Sequence, residues 1–113
     1  MAVLGTEEQV QNIQPDFTTI AKLDARGLIV TAPGNSVDFV SRFFGPQSGV
    51  NEDPVTGSAH TTLIPYWSGR LGKSMLNAKQ ISKRVGSLDC RFAGDRVYIG
   101  GEAQLYLTGE IMV

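Results

Sequence analysis

The sequence is 113 residues long, which is enough for one small domain with a modest hydrophobic core. Hydrophobic residues make up 42% of it and charged residues 19%, which are ordinary proportions for a soluble globular protein. Ten basic and eleven acidic residues leave a formal net charge of -1, so no basic excess indicates nucleic acid binding. No apolar run is long enough to span a bilayer and the first residues lack a secretion signal, so we expect a single domain over residues 1–113 in the cytoplasm.

The first half of the chain is predicted to form one helix and up to three strands. Apolar residues recur at helical spacing after Pro15, whose missing N–H suits a first helical position, and Gly27 follows as a stop. A strand rich in aromatic residues carries apolar groups on both faces, so we expect it to be covered on both sides. These predictions place the helix over about residues 15–25, strands over residues 28–31 and 37–44, a short strand over residues 1–4, and a turn over residues 5–8 with Thr6 as a cap.

Arg42 stands out within the second of these strands, between Ser41 and Phe43. Two roles fit it equally well. It could be the ion-pair partner of Glu52 or Asp53, or it could extend its charged head into solvent along an apolar stem.

The second half of the chain is predicted to form one enclosed helix followed by an antiparallel meander. Apolar residues keep helical spacing up to a Gly72-Lys73 stop, and Pro65 inside the pattern predicts a kink. From Met75 onward the apolar period becomes two, which predicts about four strands. The helix covers about residues 57–71, and turns are predicted at residues 93–95 and 100–101. The fold class is therefore α+β, with a curled, mostly antiparallel sheet or barrel wrapped around this central helix.

The candidate functional residues lie together in the stretch 49–60. A turn of small residues that opens a helix leaves backbone N–H groups unpaired beside the positive end of the helix dipole, where small carboxylates bind. Asp53 could handle a proton next to such a site. The simpler alternative is that Thr56 and Ser58 cap the helix while Glu52 and Asp53 lie in water.

Other catalytic chemistry is poorly supported by the sequence. His60 is the only histidine and Cys90 the only cysteine, so a metal would need carboxylate ligands alone and no internal disulfide can form. His60 lies three residues into a helix, where a histidine is more often a packed or capping side chain than a catalyst, although contact with a ligand stays open. Cys90 belongs to an apolar strand face and behaves as a small hydrophobe. No nucleophile elbow or nucleotide-binding glycine pattern is present.

Several segments together are similar to one known family. Residues 52–60 (Glu-Asp-Pro-Val-Thr-Gly-Ser-Ala-His), followed by Pro65-Tyr66-Trp67 and Leu71-Gly72-Lys73, closely resemble the phenazine biosynthesis PhzF-like family. The match runs almost end to end, through residues 15–17, 32–34, 38–44, 80–86 and 94–97. The family is related to diaminopimelate epimerase, and the resemblance implies two similar lobes, each a curled sheet around a central helix. This chain resembles the C-terminal lobe.

The resemblance also implies a site between the two lobes. Members of the family transfer protons in an isomerisation of a dihydro-hydroxyanthranilate, without metal or organic cofactor. The principal glutamate comes from the N-terminal lobe and matches no position here. What does match is Asp53 as the facing acid/base and Gly57 with Ser58 as the substrate-contacting loop. Neighbouring Thr56 is expected to contact substrate too.

Three further residues near this loop are expected to support it, namely Glu52, His60 and Arg42. The leading hypothesis is thus one lobe of a PhzF-like, cofactor-independent isomerase that acts on a small carboxylate-bearing substrate. A second lobe would come from another chain or from a homodimer partner, which would also cover the exposed inner face. The alternative hypothesis is a non-catalytic module that binds small anions or mediates an interaction.

Overall fold

The computed structural model describes residues 1–113, which form seven strands and three α-helices. The strands are β1 (Ala2–Val3), β2 (Leu28–Pro33), β3 (Phe39–Gly45), β4 (Val50–Asp53), β5 (Met75–Gln80), β6 (Gly86–Ala93) and β7 (Arg96–Gly100). The helices are α1 (Glu7–Gln11), α2 (Phe17–Ile20) and α3 (Gly57–Leu71), and a short 3-10 helix covers Pro46–Ser48.

The strands form one mixed sheet in the order β1-β2-β3-β5-β6-β7, and β4 pairs with β3 beside this path. Two neighbouring pairs, β1–β2 and β3–β5, are parallel, and the other four are antiparallel. The parallel β3–β5 pair needs a crossover, and α3 lies in that connection. The α+β class and the mostly antiparallel sheet are confirmed. The sheet is open, because its edge strands β1 and β7 do not pair, so the barrel alternative does not form.

Strand β3 is covered on both faces, as its two-sided apolar pattern predicted. Phe39 packs in a cluster with α3, which contributes Leu63 and Trp67 among others. Its neighbour Val40 points the other way, into a second cluster that also contains residues of α1 and α2. Successive residues of a strand face opposite sides, so one strand joins both cores.

Helix α3 has the predicted limits, residues 57–71, and lies against the sheet. It ends at Gly72, which has a φ of 67° and donates its N–H to the Ser68 carbonyl at 2.9 Å. Trp67 is fully buried, stacks on the Phe39 ring at 5.7 Å between centroids, and donates from Nε1 to Thr31 Oγ1 at 2.9 Å. None of the helices has both the length and the apolar character required to cross a bilayer.

The helix predicted over residues 15–25 is confined to α2, Phe17–Ile20, and a short helix that the sequence did not predict, α1, forms earlier at Glu7–Gln11. Thr6 is the predicted cap, and with Gln9 it forms a capping box that starts α1, where the sequence predicted a turn rather than a helix. Asp16, rather than Pro15, starts α2 by accepting from the Thr19 N–H at 3.1 Å. The chain leaves helical geometry after Ile20, whose carbonyl accepts a hydrogen bond from a side chain of the distant 3-10 helix.

The predicted fourth strand of the C-terminal meander is also not formed. The turn at residues 93–95 is confirmed, with Gly94 at a φ of 69°, and it joins β6 to β7. Residues 101–113 have no regular secondary structure, and Leu105 and Leu107 are 82% and 77% exposed. A strand needs a neighbour for its backbone groups, and no strand of this chain lies beside the segment.

Arg42 of β3 joins the end of α1 to the sheet and forms an ion pair with Glu52 of β4. Arg42 donates from Nε and Nη2 to both carboxylate oxygens of Glu52, at 2.7 and 3.0 Å. Its Nη1 donates to the backbone carbonyls of Val10, Gln11 and Ile13, at 2.9 to 3.2 Å. The ion-pair alternative for Arg42 is therefore confirmed, with Glu52 rather than Asp53 as the partner. The same guanidinium satisfies carbonyls that the end of α1 leaves unpaired.

Replacing Arg42 by Met is expected to lower the free energy of unfolding by about 2–4 kcal/mol, because Glu52 and the α1 carbonyls lose their partner. Urea denaturation measures the change. The matched control is Lys73→Met, since the Lys73–Asp38 pair is bridged at 2.6 Å by a lysine side chain that is 49% exposed. That control should cost less than about 1 kcal/mol. Equal losses in the two variants would show that the Arg42 contacts contribute no more than a surface pair.

Candidate functional site

The candidate site is the short step from Asp53, the last residue of β4, through three connecting residues to Gly57, the first residue of α3. Asp53 lies opposite Phe43 in the β3–β4 pair, so the sheet sets the position of its backbone. Thr56 occupies the N-cap position with extended geometry. The carboxylate and the first N–H groups of the helix are thus presented by two rigid elements rather than by a long loop.

A buried amide holds this step in shape. Gln80, at the end of β5, has no exposed surface. Its Oε1 accepts from the Thr56 N–H at 2.8 Å, and its Nε2 donates to the Asp53 carbonyl at 2.8 Å and to Thr56 Oγ1 at 3.1 Å. Nearby, Ser82 Oγ donates to the Pro54 carbonyl at 2.9 Å. Gln80 and Ser82 therefore satisfy the Thr56 N–H and the carbonyls of Asp53 and Pro54.

The first N–H groups of α3 are left without a side-chain cap. The Thr56 hydroxyl donates to Asp53 Oδ2 at 2.5 Å and makes no capping bond to the helix. Ser58 Oγ accepts from Arg26 Nη2, also at 2.5 Å. Gly57 and Ser58 are both exposed, and a Cβ atom on Gly57 would meet nothing within 4 Å. The simple capping interpretation therefore does not describe Thr56 or Ser58, and the Gly57 and Ser58 N–H groups have no hydrogen-bond acceptor within this chain.

An open cleft of about 700 Å³ lies beside Gly57, between the start of α3 and strands β6 and β7. Val55 and Gly57 line it on one side, and Gly100 with Glu102 on the other. A cleft of this size fits a small ligand.

His60 lies in the core rather than at the surface of the site. Its side chain is fully buried, its Nδ1 lies 2.8 Å from the Thr56 carbonyl, and its Nε2 has no partner. An Nδ1–H that donates to this carbonyl leaves Nε2 unprotonated. Burial lowers the pKa of the imidazole, against the opposing effect of the hydrogen bond to Thr56. Within this chain, His60 is a neutral side chain that ties the first turn of α3 to the core.

Cys90 is a packed thiol, as the alternation of β6 predicted. It is 1% exposed and belongs to the cluster around α3. Burial, with a smaller effect of the Asp89 charge, raises the pKa of the thiol to about 11. A thiol with so little thiolate at neutral pH is a poor nucleophile.

The structure brings together four of the residues singled out from the sequence, namely Asp53, Thr56, Gly57 and Ser58. Glu52 is adjacent in the chain, but its carboxylate is taken up by Arg42. Two residues that contact the site, Gln80 and Arg26, were not predicted from the sequence as site residues. A polar residue at a buried position of β5 was a usable signal for Gln80. No spacing rule could have paired Arg26 with a residue 32 positions away.

The fold and this step together define a class of protein. It is an α+β architecture with an open curled sheet around one long helix, whose exposed N-terminus lies beside a carboxylate. Similarity to known proteins then identifies the family. The profile of the family described as phenazine biosynthesis-like protein matches residues 1–109. The chain belongs to this PhzC/PhzF family.

Individual relatives agree with this assignment. An uncharacterized isomerase of Pseudomonas aeruginosa is 55% identical over 98% of this chain and 42% of its own length. An uncharacterized isomerase of Halalkalibacterium halodurans is 43% identical over 97% of this chain and 42% of its own. The crystal structure of a PhzF-family protein from Enterococcus faecalis superposes with a TM-score of 0.89 and 53% identity, covering 98% of this chain and 43% of that one. The chain thus spans less than half the length of these relatives.

We expect Gln80→Ala to lower the free energy of unfolding by about 2–4 kcal/mol, because the Thr56 N–H and the Asp53 carbonyl would be left without their partner. Gln14→Ala is the matched control, since Gln14 is exposed and makes no side-chain hydrogen bond. It should change stability by less than about 0.5 kcal/mol. Chemical denaturation of both variants decides the point, and an unchanged midpoint for Gln80→Ala would contradict the holding role of the amide.

A second expectation concerns pH. The folded state disfavours protonation of His60, so the unfolded state takes up this proton first as the pH falls below the ordinary histidine value of 6.5. Stability should therefore decline as the pH falls below about 6.5, by at most about 1.4 kcal/mol per pH unit. A His60→Gln variant should lack that decline. The measurement is the free energy of unfolding at several pH values, and identical profiles for the two proteins would refute the assignment.

Proposed function

We propose that this chain supplies one lobe of a cofactor-independent isomerase that transfers a proton on a small carboxylate-bearing substrate. The observation that carries the proposal is the placement of the Asp53 carboxylate next to the uncapped N–H groups of Gly57 and Ser58. Two relatives that match nearly the whole chain are named isomerases, which supports the reaction class.

The chemistry follows from these groups. Removing a proton from a carbon next to a carboxyl or an unsaturated group builds negative charge, which oriented N–H donors stabilise. The N-terminus of α3 provides such donors together with the positive end of the helix dipole. Gly57 has no side chain, so a ligand can approach its backbone closely. Asp53 is the group that moves the proton, and the Thr56 hydroxyl, which donates to Asp53 Oδ2, orients it.

A second lobe completes the proposal. The site is open on one side, and more than half of the length of the relatives lies outside the matched region. A second polypeptide or a second copy of this chain would cover that face. Covering it would exclude water, and charge–dipole contacts strengthen when water is removed.

One observation favours a second candidate function, a non-catalytic module that binds small anions. Glu52 is held by Arg42 on both of its carboxylate oxygens, so Asp53 is the one carboxylate of the step that is free to exchange a proton. An isomerisation that removes a proton at one position and returns it at another gains from a second acid. The N–H groups of Gly57 and Ser58, in contrast, both belong to this chain.

The test is incorporation of deuterium from D2O into a dihydro-hydroxyanthranilate, followed by NMR. It is run on this chain alone and on a chimera in which the chain replaces the matched segment of the Pseudomonas aeruginosa relative. Asp53→Asn should slow incorporation by about 100-fold or more. Asp95→Asn, an exposed carboxylate in the β6–β7 turn, should leave it unchanged.

Three results would contradict parts of the proposal. Unchanged incorporation in Asp53→Asn would remove Asp53 from the reaction. Absence of incorporation in every species, with ligand binding retained, would favour the binding module. A solution mass of one chain, measured on the same samples, would exclude a second copy as the covering lobe.

A further inference from the structure

Residues 102–113 have the sequence pattern of a half-buried strand, yet the rest of the chain leaves them uncovered. Every odd position from Ala103 to Val113 is apolar or glycine, whereas the even positions between them are mostly polar. Such alternation is typical of a strand that has one face against a core. Here the apolar side chains are exposed instead, Leu105 by 82% and Ile111 by 86%. A contiguous run of exposed apolar side chains marks an interaction surface.

Strand β7 offers the kind of sheet edge that such a segment needs. It stands last in the sheet order, so one row of its backbone N–H and C=O groups has no partner strand. Its two faces differ, because Val97 packs against the hydrophobic cluster around α3, whereas Tyr98 lies on the opposite face beside Arg91. Ile99 is on the Val97 side and is 38% exposed at the cleft next to Gly57. An added strand therefore extends the core when its apolar residues lie on the Val97 side.

The connection within one chain gives the wrong register for this edge. A two-residue turn at Gly100-Gly101 is the connection that two adjacent glycines favour. It would place Gln104 opposite Val97 and Leu105 on the Tyr98 side, so the polar face would lie against the core. A shift of one residue exchanges the two faces of a strand. A strand from another molecule has no turn to fix its register, so it can pair with its apolar face inward.

We propose that residues 102–113 add a strand to β7 of a second copy of this chain, which adds its own segment in return. The chain carries both halves of this contact, an unpaired strand and an open edge, as a twofold dimer requires. An extended segment of this length reaches about 40 Å, far enough to cross to a neighbouring molecule. Because Ile99 borders the cleft beside Gly57, the strand of the partner would form one wall of that cleft. The dimer does not depend on the proposed isomerase activity.

One antiparallel register satisfies both faces of the added strand. With Leu105 opposite Ile99 on the core side, the next residue, Tyr106, falls opposite Tyr98 on the outer face. Leu107 follows on the core side again. Aromatic pairs directly across two strands stabilise a sheet. The register therefore buries the leucines and pairs the two tyrosines.

The first measurement is the solution mass of the chain by sedimentation, which should be twice the 12.2 kDa of one chain. Leu105→Glu/Leu107→Glu should raise the dissociation constant of the dimer by about 100-fold or more, because the new carboxylates would be buried. The matched control is Gln104→Glu/Thr108→Glu, which adds the same charge on the outer face and should dimerise at least as well as the wild type. All four side chains are exposed in the single chain, so circular dichroism should show the same fold in both variants.

The second measurement identifies the contact. Tyr98→Cys and Tyr106→Cys are made in separate chains, mixed and oxidised, and the expected product is a disulfide that joins one chain of each kind. Each variant oxidised by itself is the control and should give far less cross-linked product. The native Cys90 is 1% exposed, so its thiol does not compete.

The outcomes decide between this dimer and other arrangements. A wild-type chain that stays monomeric up to about 1 mM would overturn the proposal. A dimer that Leu105→Glu/Leu107→Glu leaves intact would also overturn it, since another surface would then hold the two copies. A dimer that this variant abolishes, but that forms no disulfide between positions 98 and 106, would overturn the pairing with β7. A disulfide that closes within one chain carrying both cysteine substitutions would show a hairpin and overturn the exchange.

Discussion

The step between β4 and α3 depends on one buried amide. Gln80 both accepts from the Thr56 N–H and donates to the Asp53 carbonyl, so it joins the last residue of a strand to the residue that precedes a helix. A backbone that reverses direction inside a protein must find partners for its polar groups or pay their desolvation cost. Gln80 Nε2 also donates to the Thr56 hydroxyl, which in turn donates to Asp53 and makes no capping bond to the helix.

The rest of the fold gives that step a rigid frame. Strand β3 lies between two hydrophobic clusters and pairs with both β4 and β5, which carry the two anchors of the step, Asp53 and Gln80. Arg42 of β3 binds Glu52 of β4 and a backbone carbonyl at the end of α1, so it joins that helix to the same part of the sheet. The hydrogen bonds of Gln80 and Arg42 thus hold the backbone around Asp53, a residue that stays partly exposed.

Local sequence patterns predicted the structure correctly where the residues that determine it lie close together in the chain. The limits of α3 follow from small residues at its start and Gly72 at its end, and the β6–β7 turn follows from Gly94. The same reasoning failed where tertiary partners decide. Residues 15–25 have helical spacing, yet contacts from the 3-10 helix hold the chain after Ile20 in another geometry. The alternation after Gly101 has no neighbouring strand, so it forms none.

The sequence by itself determined the family, the central helix and the residues of the step, because a run of nine residues from Glu52 to His60 carries them contiguously. Only the tertiary structure decided which groups these residues meet. In the folded chain Arg42 pairs with Glu52, and His60 is buried in the core. Gln80 contacts Thr56 and Arg26 contacts Ser58, although these partners are 24 and 32 positions apart in the sequence. Spacing rules describe neighbours on one helix or strand, whereas these contacts arise from how separate strands and loops are packed together.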